Sequence, residues 1–142
     1  EGYDGWLFPN GLVHSKKIFL SHAVEDKFLA GVFKQQLEKS GVFVFLAHED
    51  IPGTVEWVDR IISELETATL FIALRTDTYS KKNYTEQECG FALALNKRIL
   101  SLFIDQEPKD AGFCAAFQGK IFLRNDNLVN EITTYCKKQF GL

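Results

Sequence analysis

The chain contains no methionine, and proline and cysteine occur only three times each in 142 residues. So little proline, beside 46% hydrophobic and 25% charged residues, excludes collagen-like, low-complexity and disordered chains. Cys89, Cys114 and Cys136 are an odd number with no Cys-x-x-Cys pair, and His14, His22 and His48 take no HExxH spacing. That argues against a disulfide framework and a structural metal site, so reduced thiols, no metal and a cytoplasmic home are expected. Long apolar runs are missing too. Val42–Ala47 and Ile99–Ile104 fall far short of the ~20 residues that span a bilayer, and no signal peptide is visible. Positive charge is not in excess: 16 Lys+Arg against 19 Asp+Glu give a net −3. Neither nucleic acid nor a membrane surface is expected as a partner.

What is present is a core-forming chain of one-domain size, with thirteen phenylalanines. With no methionine and a start at Glu1, it reads as a domain cut from a longer protein. Residues 1–15 are then a linker or N-terminal extension, and 16–142 the folded domain. Strand-like bursts alternate with segments of helical period. Lys17–Ser21, Val42–Leu46, Thr69–Leu74, Arg98–Ile104 and Lys120–Leu123 are strand candidates. Leu29, Phe33 and Leu37 mark a first helix closed by Ser40-Gly41, and Val58, Ile61, Ile62 and Leu65 a second. Tyr84–Leu95 and Leu128–Gln139 are further helices, with a short one around Ala111–Phe117. Five such units predict an α/β flavodoxin-like sandwich: a parallel sheet in order 2-1-3-4-5 with helices on both faces. Ligands then sit at the carboxyl ends of the strands, after Ser21, Leu46, Leu74 and Ile104.

Several chemistries are absent from those loops. There is no GxxxxGK[ST] and no GxGxxG, which argues against an NTPase and a Rossmann dehydrogenase. A phospho-acceptor receiver domain needs acids where this chain has Ser21-His22 and Leu74-Arg75. The positive signal is Glu88, which shares a helical stripe with Phe91, Ala92 and Leu95. It faces the ligand crevice, with Tyr84 one turn earlier and Glu86 and Gln87 toward solvent. Geometry leaves open whether Glu88 is functional or only favours the helix dipole. Ser21 or His22 caps the next helix, either while its N–H groups face a phosphate or with Glu25 and Asp26 merely complementing the helix dipole. Trp57, after the Pro52-Gly53 turn, either joins the core or stacks on a ligand.

Three ordered segments, IFLSHAVEDK (18–27), VFLAHEDIPGTVEWVDRIISEL (44–65) and YSKKNYTEQECGFAL (79–93), closely resemble a TIR domain of the bacterial NAD+-consuming branch. The resemblance implies cleavage of the nicotinamide–ribose bond of NAD+, taken as substrate rather than cofactor, giving ADP-ribose or a cyclic isomer. Enzymatic relatives carry W-x-x-x-E; here Tyr84 replaces the tryptophan and Glu88 takes the catalytic place. Ser21, His22, Asp50, Trp57, Arg75 and Tyr84 fall to the substrate. Arg75 would either grip a pyrophosphate or pair with Glu88. The resemblance also implies head-to-tail TIR–TIR self-association through the loop holding Glu49, Ile51, Pro52 and Gly53. It further implies a sensor domain in the same protein and a role as effector of antiphage defence. A non-catalytic adaptor working by homotypic contacts is the alternative, and a nucleoside 2-deoxyribosyltransferase-like base exchanger a third reading.

Overall fold

Two of the strand-like bursts form strands that are buried almost throughout: β1 at Lys17–Ser21 and β4 at Arg98–Ile104, the latter exposed only at Arg98. The structure, a computed structural model, describes residues 16–47, 55–81, 83–108 and 119–142, without the side chains of Ser80, Asn83 and Tyr84. The N-terminal lead, the loop at 48–54 and the helix expected around Ala111–Phe117 lie outside the described residues.

In chain order, β1 leads through a 3-10 turn (Val24–Asp26) into α1 (Lys27–Glu38) and β2 (Phe43–Leu46). Then come α2 (Val55–Thr67), β3 (Leu70–Arg75), a 3-10 turn (Tyr79–Lys81) and α3 (Asn83–Ala94). β4, β5 (Gly119–Phe122) and α4 (Leu128–Phe140) complete it. The sheet runs β2-β1-β3-β4-β5 with every neighbouring pair parallel, the order expected from the sequence.

Alternation along the strands divides the interior into two layers. Ile18, Leu20, Ile72, Leu100 and Leu102 pack with Phe33 and Leu37 of α1 and Ile132 and Cys136 of α4. Phe19, Phe45, Phe71 and Phe103 pack on the other face with Leu65 of α2 and Cys89 and Ala92 of α3. Register places Phe45 and Phe71 on either side of Phe19, at centroid distances of 5.3 and 5.4 Å, so part of the phenylalanine content is a row of rings across three strands. Gly41, at φ 88°, closes α1 where a side chain would be strained. Asn96, at φ 59°, ends α3 in the same way, with Lys97 N–H donating to Ala92 O at 3.0 Å.

The crossovers through α1 and α3 leave the sheet on opposite faces, so β1 and β3 flank the point where strand order reverses.

Candidate active site

Ser21 closes β1 and pairs with Ala73; Arg75, two residues on, closes β3 and points to the same face. Over that face lies α3, whose buried Thr85, Glu88, Cys89 and Ala92 recur at helical spacing. Glu88 is therefore carried to the carboxyl end of the sheet while only 5% exposed. Ser21 Oγ donates to Glu88 Oε1 at 2.7 Å. The Tyr79 phenol oxygen lies 2.7 Å from the same Ser21 Oγ and 3.2 Å from Thr85 O. A serine hydroxyl has one proton, and a carboxylate only accepts. Ser21 spends its proton on Glu88, so Tyr79 is the donor to Ser21. Burial, and then the nearby Glu88 charge, push the Tyr79 phenol well above its ordinary range, so it stays protonated.

Around this chain the strand ends are tied together. Arg75 is 2% exposed, and its guanidinium grips Glu86 in a bidentate fork at 2.9 and 3.2 Å. It also lies 4.6 Å from the Tyr79 ring centroid, and Nη2 is 3.6 Å from Cys89 Sγ. His22 is buried, with Nδ1 2.8 Å from Ala23 O; a carbonyl only accepts, so Nδ1 carries the proton. Asp26 Oδ2 accepts from Thr76 Oγ1 and from Thr78 Oγ1, the latter at 3.1 Å, which joins the loops after β1 and β3.

The sequence profile of the TIR domain matches residues 18–133. The chain belongs to the TIR domain family. No curated protein matches it by sequence. Among solved structures, this TIR domain is similar to the Clostridium botulinum CMP N-glycosidase BcmB, at a TM-score of 0.61 and 22% identity. The likeness covers 86% of this chain and 99% of that one, and it carries the fold.

Of the residues singled out in the sequence, the TIR domain brings Ser21 and Glu88 into direct contact. It sets His22 and Arg75 beside them at the strand ends. Neither Ser21 nor His22 caps α1: the intervening 3-10 turn delays that helix to Lys27, and Ala23 takes the turn's N-cap position. Arg75, read from the sequence as a grip for a pyrophosphate or a partner of Glu88, forks onto Glu86, which was expected in solvent. Trp57 is half-buried at the start of α2. Tyr84 lies in the first turn of α3, but its side chain is outside the described residues, as are Glu49, Asp50, Ile51, Pro52 and Gly53.

Cys89 is disulfide-bonded, which corrects the expectation of reduced thiols: an odd cysteine count excludes a fully paired framework but not one bridge. Sequence reasoning missed Tyr79 and Thr85. The available signal was that Tyr79 is the only aromatic residue between Leu74 and Tyr84. Among the described residues no group of three His, Cys, Asp or Glu side chains is placed to hold a metal, and no helix is long and apolar enough to cross a membrane.

Proposed function

We propose that this TIR domain is an N-glycosidase that cleaves the nicotinamide–ribose bond of NAD+, with Glu88 as the catalytic carboxylate. The observation that supports it is a buried carboxylate at the point where strand order reverses, held by Ser21 Oγ at 2.7 Å. As the ribose C1–nitrogen bond breaks, its electron pair goes to the nicotinamide nitrogen. The base leaves neutral from a cationic ring and needs no proton. C1 becomes an oxocarbenium centre, the situation of glycoside hydrolysis, and a fixed anion stabilises it. Water then adds its oxygen to C1 and loses a proton, giving ADP-ribose. Attack by an adenine nitrogen gives the cyclic isomer instead.

The test is nicotinamide release from NAD+, followed by chromatography at high protein concentration, for wild type and Glu88→Gln. The amide keeps the shape and removes the charge, so turnover should fall by about 10²-fold or more. Equal turnover removes Glu88 from the chemistry.

A second reading is cleavage of a nucleoside monophosphate, favoured by the fold likeness to a CMP N-glycosidase. Cytosine leaves as a neutral base only if it is protonated, so NAD+ asks less of the site; cytosine release from CMP in the same assay separates the two. Self-association through the loop holding Glu49, Ile51, Pro52 and Gly53, an attached sensor domain and an antiphage effector role belong to the proposal as well. A non-catalytic adaptor acting by homotypic TIR contacts predicts no nicotinamide release even when the protein is clustered.

A further inference from the structure

Tyr79 is fully buried, and a phenylalanine would fill the same space against Arg75. Its hydroxyl therefore calls for an explanation, since burying an O–H costs free energy unless a partner accepts its proton. Two acceptors are in reach, Ser21 Oγ at 2.7 Å and Thr85 O at 3.2 Å, and the shorter contact is the one that leads to Glu88. The ring is aimed by contacts other than these hydrogen bonds. The Arg75 guanidinium packs on its face, and Thr85 Oγ1 donates to the Tyr79 carbonyl. The phenol thus has a fixed position from which to hold Ser21.

Ser21 sits at the end of a strand paired on both sides, so its backbone is fixed as well. Glu88 differs. A glutamate has three rotatable side-chain bonds, and a carboxylate that must face a developing cation gains from having them fixed beforehand.

We infer that Tyr79 is a positioning residue for Glu88, acting through Ser21: the phenol donates to Ser21, Ser21 donates to Glu88, and the relay fixes the carboxylate before substrate arrives. The inference rests on the reading of Glu88 as the catalytic carboxylate. It assigns the Tyr79 hydroxyl a task that burial and ring packing alone do not require.

The test is a cycle of Tyr79→Phe, Ser21→Ala and the double variant, with kcat and KM for NAD+ measured beside wild type and Glu88→Gln. Tyr79→Phe should lower kcat about tenfold, the worth of one hydrogen bond to a charged network, with KM within about twofold. In the Ser21→Ala background the same change should do nothing further, because the link through which it acts is gone. Wild-type kcat in Tyr79→Phe, a rise in KM alone, or a full tenfold loss added to Ser21→Ala overturns the relay. Turnover in Glu88→Gln equal to wild type, or none in wild type, overturns the functional reading instead.

A spectroscopic measurement decides the relay without activity. The buried Tyr79 hydroxyl proton, observed by NMR, should shift clearly in Ser21→Ala. An unchanged resonance assigns the phenol to Thr85 O and overturns the inference.

Discussion

Arg75 shows what a buried cation needs at the end of a strand. Its guanidinium is flanked by the Tyr79 ring on one side and the Glu86 carboxylate on another, and its side chain is only 3% exposed. A lysine there would keep the charge but lose the fork and the flat stacking surface. Arg75→Lys is expected to destabilise the fold by about 2 kcal/mol, read as a lower urea midpoint at unchanged slope. Glu86 is about a third exposed, which keeps the pair's own share of that cost small. A midpoint unchanged from wild type refutes this account of Arg75.

The same residues mark where the sequence was readable. Glu88 was legible because helical periodicity alone places it with Ala92 on the buried side, where the structure has both. Tyr79 was not legible, since it lies in a 3-10 turn whose polar neighbours show no period. Glu86 was assigned to solvent by the same periodicity. That rule sees one helix at a time, not an arginine arriving from a strand.

Among the elements, β1 and β4 were read to the residue. Elsewhere the bounds slid by one residue: β3 runs Leu70–Arg75 rather than Thr69–Leu74, and β2 starts at Phe43 rather than Val42. β5 is the weakest signal. It begins at Gly119, ahead of the expected Lys120, and only Phe122 is buried. The glycine is there because the edge strand approaches β4 closely: a Cβ at 119 would lie 2.8 Å from Ser101 O and 2.9 Å from the Phe103 ring. A backbone carbonyl paired into the sheet cannot yield as a side chain can. Gly119→Ala should therefore cost about 1–3 kcal/mol. It should also speed hydrogen exchange at Lys120–Phe122 while leaving the β1 amides protected. Stability equal to wild type rules out the close approach.

On the scale of the whole molecule, the buried polar cluster lies on one side of the sheet only, beside the phenylalanine layer. Ser21, Arg75, Thr85 and Glu88 share the face covered by α3, whereas the face beneath α1 and α4 is packed with aliphatic and aromatic side chains. Cys136 of α4 lies in that apolar layer as a free, fully buried thiol, and burial pushes its pKa up to about 12. In the unfolded chain a cysteine titrates near 8.5. A folded pKa raised above the unfolded one gives stability that is complete below about pH 8.5 and is lost as pH rises toward about 12. The loss comes to about 1 kcal/mol between pH 8.5 and 9.5. Tyr79 contributes with the same sign, but only from about pH 10, where an unfolded tyrosine begins to ionise. The two groups therefore separate along the pH axis. Urea unfolding of wild type and Cys136→Ala in oxygen-free buffer should show the variant less stable at pH 7, for the small cavity it leaves, yet flatter between pH 8.5 and 9.5. Lysines and chain termini titrate alike in both proteins and cancel in the difference. Parallel curves across that window place the thiol within reach of water and remove Cys136 from the apolar layer.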